Sequence, residues 1–125
     1  MKILLDTHAF LWWMENNPTL SKQARKAIED PNNMVFVSAI TVLEIAIKKS
    51  IGKLTAPDNL EEELVNNNFE PLPMTIAHAQ AVGSLPFHHA DPFDRVLIAQ
   101  TQIEGLTLIS RDNNIKKYGI TTIEA

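Results

Sequence analysis

The sequence has no cysteine, so disulfides and thiolate metal sites are excluded. It has one tyrosine, two tryptophans and only four glycines, at 52, 83, 105 and 119. Those glycines make no GxGxxG dinucleotide fingerprint. Gly52-Lys53 is not a phosphate-binding loop either: Ile47 stands where the first glycine belongs and Leu54 where serine or threonine would follow. No apolar run approaches the roughly 20 residues that span a bilayer. Lys2 and the short run Ile3-Leu4-Leu5 before Asp6 fall far short of a signal-peptide core, so the expectation is a cytoplasmic protein with no membrane partner. A basic excess is also missing. The net charge is -4, against the usual sign for a nucleic-acid binder, yet it is the sign expected where carboxylates are reserved for a metal.

What is present suits one domain over residues 1–125. Hydrophobic residues make up 45% and charged residues 21%, enough apolar material for one core. Strand-like runs at 2–5, 34–37, 106–109 and 121–123, with a shorter one within 69–74, alternate with helical stretches. Helices are expected over 7–15, 21–30 with Ser21 as cap, 41–51, about 59–67 behind an Asp58/Glu61 capping box, 75–83, 92–104 closed by Gly105, and a turn over 112–118. The strand runs are continuously apolar and do not alternate. That is the pattern of an α/β fold with a central parallel β-sheet flanked by helices in three layers. Ligands of such sheets bind beyond the carboxyl ends of the strands.

Acids fall at those ends. Asp6 follows the first strand, Glu44 lies in the helix after the second, Asp94 and Asp91 begin the helix before the fourth, and Asp112 follows that strand. Carboxylates about 4 Å apart repel by about 4 kcal/mol at an effective dielectric near 20, so such a cluster calls for a cation. Oxygen ligands without cysteine favour Mg²⁺, with Mn²⁺ as the other hard choice. One or two such ions can activate water and neutralise a phosphoryl group in line for displacement, which is phosphodiester hydrolysis. Each acid also has an ordinary reading. Thr41 and Glu44 fit a capping box, Lys48 pairs with Glu44 one turn on, Asp91-Pro92-Phe93-Asp94 suits a helix start, and Asp112 suits a turn cap. Asp6 has the least structural excuse, since it ends a buried strand. Ser38, Thr41 and Ser110 are candidates to orient carboxylates or waters. His88, His89, Arg95 and Arg111 are candidates to meet an RNA backbone. His78, inside a helix, reads as structural.

Four segments together resemble the PIN domain, in particular the VapC-type toxins of bacterial toxin–antitoxin pairs. They are Ile3 to Trp12, Val37 to Ile45, His89 to Gln100 and Leu108 to Asp112, in order and at suitable separations. The resemblance spans nearly the whole chain. It implies a PIN-like fold and a Mg²⁺-dependent endoribonuclease acting on RNA. It further implies a cognate antitoxin that blocks the site, and commonly a toxin homodimer. Carried over by position, Asp6, Glu44 and Asp94 are the main catalytic and metal-holding acids and Asp112 the fourth, with Asp91 as cap or accessory. The alternative is a non-catalytic RNA- or antitoxin-binding protein of the same fold with an idle acidic site.

Overall fold

The computed structural model describes residues 1–125. The chain runs β1 (Lys2–Leu5), α1 (Thr7–Met14), α2 (Lys22–Glu29), β2 (Met34–Ser38), α3 (Ala39–Ser50), α4 (Leu60–Asn66), β3 (Glu70–Leu72), α5 (Ile76–Val82), α6 (Pro92–Glu104), β4 (Thr107–Ile109), α7 (Asn113–Lys116) and β5 (Thr122–Ile123). All strand pairs are parallel, and the sheet order is β3-β2-β1-β4-β5. This is the expected three-layer α/β arrangement.

The central strand shows why the runs are continuously apolar. Ile3 and Leu5 face one cluster, with Phe10, Ala24, Val35, Ile45 and Ile109. Leu4 faces the other, with Leu97, Ile98, Leu108 and Ile115. Successive side chains of a strand point to opposite faces, so a strand covered on both faces has no polar position to spare. No helix is long and apolar enough to cross a membrane.

Start and stop chemistry sets the helices. Pro92 opens α6 behind its N-cap Asp91, and Gly105 ends it at φ 64, a left-handed position that a glycine adopts without strain. Ser21 caps α2 as expected. Two caps differ from expectation. Ser38, not Thr41, caps α3: its Oγ accepts from the Ile40 amide at 3.1 Å, because β2 runs straight into the helix with no loop between. Asn59, not Asp58, caps α4, while Asp58 pairs with Lys49 at 2.5 Å instead. Of the proposed inward face of α3, Ile45 is buried and Val42 half-buried, but Ala46 is exposed; Thr41 and Glu44 take the buried positions.

β1 is followed by β2 on one side, and the chain returns as β4 on the other. The connections leaving β1 and β4 therefore part at their carboxyl ends, and a crevice opens there. The Asp6 amide donates to the Ile109 carbonyl at 3.1 Å, which ties the two strand ends together at that point.

Candidate functional site

Asp6, Asp91 and Asp112 reach the crevice by one local device. Each is the N-cap of a helix that starts at this edge. Asp6 Oδ1 accepts from the Ala9 amide at 2.8 Å. Asp91 Oδ1 accepts from the Phe93 and Asp94 amides at 2.8 and 3.1 Å. Asp112 Oδ1 accepts from the Asn114 and Ile115 amides at 2.7 and 3.3 Å. Asp6 thus has a structural job after all. Capping and chemistry are compatible, because a capping carboxylate uses one oxygen on the backbone and presents the other. The positive ends of α1 and α6 also point at the cluster and offset part of its charge.

Asp94 sits three residues into α6, so that helix does begin at the acidic edge. Its Oδ2 lies 2.8 Å from His89 Nε2, and the same nitrogen lies 3.3 Å from Asp112 Oδ2. One oxygen or nitrogen from each of His89, Asp94 and Asp112 falls within 4.8 Å of the others. Ser110 is fully buried and its Oγ accepts from the Asp112 amide at 3.1 Å, which fixes that carboxylate's backbone.

Glu44 reaches the same cavity from α3. It is 5% exposed, so it is no surface capping-box acid. Thr7 Oγ1 donates to Glu44 Oε1 at 2.6 Å, with Thr41 Oγ1 3.4 Å from the Thr7 hydroxyl. Lys48 Nζ donates to Glu44 Oε2 at 2.5 Å, the expected pairing one helical turn apart. A single cavity of about 420 Å³ takes in these groups. Asp6, Glu44, Asp91, Asp94 and Asp112 line it, with Thr7, His8, Trp12, Lys48 and Arg111.

Electrostatics mark the same place. Burial raises the Asp6 carboxyl above its ordinary value, and Asp112 adds to the rise, against the Ala9 amide, the Ser110 hydroxyl and His8. Burial, then Asp91 and Asp6, push Asp94 up to about 6, with His89 opposing. The Glu44 hydrogen bond, aided by Glu44, Asp91 and Asp94 as charges, raises Lys48 against its own desolvation. A buried carboxylate among like charges is held short of full ionisation until a cation joins it. Five carboxylates around one cavity, with an imidazole beside two of them, therefore fit a hard divalent ion.

That arrangement predicts an inverted pH dependence. The folded-state carboxyl of Asp94, near 6, lies above its unfolded value of 3.8, so the folded protein binds more protons between those limits. Its stabilisation is complete below the lower value and is lost as pH rises through about 6. Asp6 acts in the same direction. In EDTA the melting temperature should rise as pH falls from 7 to 5.5, and saturating Mg²⁺ at pH 7 should restore the difference. A flat or opposite slope in EDTA contradicts the strained cluster.

The structure moves several RNA-contact candidates elsewhere. Arg95 is a correction: it is 9% exposed and does not line the cavity. Its guanidinium donates to the carbonyls of Val82 (2.9 Å), His89 (3.2 Å), Pro86 (3.3 Å) and Leu85 (3.4 Å), and to the Tyr118 hydroxyl. His88 is exposed, packs edge-on against Tyr118 at 5.1 Å and does not line the cavity. Arg111 does reach the cavity. It lies 4.5 Å above the Trp12 ring and donates to the carbonyls of Thr19 and Ala125. His89 lies among the carboxylates rather than on a solvated loop. His78 is structural: its Nδ1 accepts from the Thr75 amide at 3.0 Å and its Nε2 meets Glu104 at 3.0 Å. Thr7 and Lys48 were not among the candidates. Thr7 adjoins Asp6, which was the available signal; Lys48 was legible as a helical pair but not as a neighbour of Asp91 and Asp94.

Comparison with known proteins decides the family. The family model "PIN domain" matches residues 3–120. The chain belongs to the PIN domain family. This PIN chain is 28% identical over 123 residues to Ribonuclease VapC22 of Mycobacterium tuberculosis, covering 93% of this chain and 91% of that one. Its shape resembles VapBC2 from Rickettsia felis, solved with a promoter DNA fragment, at TM-score 0.75 and 15% identity over 98% of both chains. DNA-bound VapBC from Salmonella typhimurium follows at TM-score 0.72 and 18% identity, over 98% of this chain and 97% of that one. A toxin–antitoxin complex from Klebsiella pneumoniae matches at TM-score 0.65 and 18% identity, over 98% and 96%. These likenesses carry the fold.

Proposed function

We propose that this PIN domain is a Mg²⁺-dependent endoribonuclease, a VapC-type toxin that hydrolyses RNA phosphodiester bonds and is neutralised by a cognate antitoxin. The observation that carries this reading is the convergence of Asp6, Asp94 and Asp112 on one cavity, with the Asp6 carboxyl raised by burial and Asp112, and the Asp94 carboxyl by burial, Asp91 and Asp6. The similarity to Ribonuclease VapC22 points the same way. So do the named VapBC and toxin–antitoxin structures, which support an antitoxin partner; a cytoplasmic location belongs to the same proposal. A homodimer, with the whole chain acting as one domain, completes the proposal.

In this mechanism Asp6, Glu44, Asp94 and Asp112 would hold the ion, with Asp91 as an accessory. A bound Mg²⁺ or Mn²⁺ supplies a more acidic water and neutralises charge on the phosphoryl group. The chain's own groups do the rest. Ser110 fixes the Asp112 backbone. Ser38 starts α3, and Thr7, with Thr41 beside it, holds Glu44 in place at the cavity. Lys48, paired with Glu44 and lining the cavity, is the cation best placed to meet a phosphate of the RNA. Arg111, above Trp12, can meet a second.

Purified protein incubated with total cellular RNA should give discrete fragments with Mg²⁺ and none in excess EDTA. Metal-independent cleavage, with contaminating nuclease excluded, would overturn the metal mechanism. Absence of cleavage with either metal, joined to RNA or antitoxin binding, would favour the idle-site alternative.

A further inference from the structure

We propose that His89 is a direct ligand of the metal through Nε2, making the centre a mixed nitrogen–oxygen site that prefers Mn²⁺ over Mg²⁺. This rests on the metal-dependent reading above and adds a residue that the all-carboxylate scheme does not contain.

The geometry points there. Donor atoms on neighbouring vertices of a six-coordinate ion with bonds near 2.1 Å lie about 3 Å apart, and opposite ones about 4.2 Å. His89 Nε2 lies 2.8 Å from Asp94 Oδ2 and 3.3 Å from Asp112 Oδ2, and no two of these donor atoms are more than 4.8 Å apart. His89 Nε2 is therefore spaced from both carboxylate oxygens as a neighbouring vertex of one ion would be, and the three donors come from two separate stretches of chain. A histidine that only capped a carboxylate would need one such contact, and this one has two.

The ring is held there from outside. The His89 backbone amide donates to the Tyr118 hydroxyl at 3.1 Å, and its carbonyl accepts from Arg95 at 3.2 Å. The ring is 12% exposed, so it is packed in place rather than free to swing. Its other nitrogen is available: Nδ1 is 3.5 Å from the Asp91 amide, the outer limit of a hydrogen bond. Coordination through Nε2 needs the neutral ring with its proton on Nδ1, so that weak contact is lost as Nε2 gives up a proton to solvent and Nδ1 takes one from solvent. Imidazole nitrogen suits transition ions, while Mg²⁺ keeps oxygen ligands and sheds water reluctantly. Hence the expected preference.

The decisive measurement is pulsed EPR of the full chain loaded with Mn²⁺ alone. Bound Mn²⁺ should show electron-spin-echo modulation from a directly coordinated ¹⁴N, and His89→Gln should abolish that modulation while still binding Mn²⁺. Calorimetry should show about a ten- to hundredfold loss of Mn²⁺ affinity in His89→Gln, with a smaller loss for Mg²⁺. Three results overturn the proposal: no ¹⁴N modulation in the wild-type Mn²⁺ complex, modulation that persists in His89→Gln, or an equal loss of affinity for both ions. The first needs no variant, so it stands even if His89→Gln folds poorly. Metal-dependent RNA cleavage beside a ¹⁴N-free wild-type spectrum would leave the ribonuclease standing and remove only His89. Absence of Mn²⁺ and Mg²⁺ binding would remove both.

Discussion

Asp6→Asn should reduce metal-dependent RNA cleavage by about a thousandfold or more, about 4 kcal/mol of transition-state stabilisation, while the metal-free protein becomes more stable. The two effects have one cause. Asp6 is 6% exposed and its charge is opposed by burial and by Asp112. Asparagine keeps an Oδ1 for the Ala9 amide, so the cap of α1 survives. It removes the charge that the fold resists and that a metal needs. Melting in EDTA at pH 7 should therefore shift upward in Asp6→Asn, and added Mg²⁺ should stabilise the variant less than the wild type. Asp6→Ala provides the contrast: it loses the charge and also the cap, a cost of about 1 kcal/mol, so it should melt below Asp6→Asn while being equally inactive. Full cleavage by Asp6→Asn would remove Asp6 from the mechanism. An unchanged or lower melting temperature in EDTA would show that its charge is not under strain. Sites that trade stability for chemistry behave in the first way.

How much of this was legible in the sequence depends on how local each cause is. α6 was legible to the residue, because Asp91, Pro92 and Gly105 are start and stop signals that act within a turn. The parallel sheet was legible because strands covered on both faces must be apolar throughout. The cap of α3 was misread: the strand was ended at Val37 and the helix begun at Thr41, and nothing local says that the helix follows without a loop. The same error made Glu44 look like a first-turn surface acid, when its burial comes from α3 packing on Thr7 of α1. Asp6 shows the converse. Its cap on Ala9 lies within three residues and was readable from aspartate preceding a helix, but its place at the end of a buried strand drew attention to chemistry alone. That Asp6, Asp94 and Asp112 converge follows from strand order, β1 beside β4, which no local pattern encodes.

Arg95 is the sharpest case, and its substitution should have the largest effect on folding. Read beside Asp94, it looked like a cation for an RNA backbone. Instead its guanidinium gathers the carbonyls of Val82, Leu85, Pro86 and His89, with the Tyr118 hydroxyl. The segment from the end of α5 to the start of α6 has no strand or helix to satisfy those oxygens, so a rigid fork of donors does it. Arg95→Ala strips the carbonyls of Leu85 and His89 of their donor, while Val82 keeps the Leu85 amide and Pro86 keeps the His88 amide and the Tyr118 hydroxyl. Each buried polar group so left costs about 1–3 kcal/mol, and partial hydration of the loop limits the total to about 3–4 kcal/mol. For a chain of this size that is a fall of about 10–15 °C in melting temperature. Arg95→Lys should recover little, because one ammonium cannot span the same set of acceptors. Activity should fall too, since this loop carries His89 into contact with Asp94 and Asp112. The two causes separate with temperature. Cooled well below its own melting point, Arg95→Ala should regain part of its cleavage and show an unchanged salt dependence of RNA binding. Loss of a phosphate contact would instead weaken binding at every temperature and flatten that salt dependence by about one unit, with the melting temperature nearly unmoved.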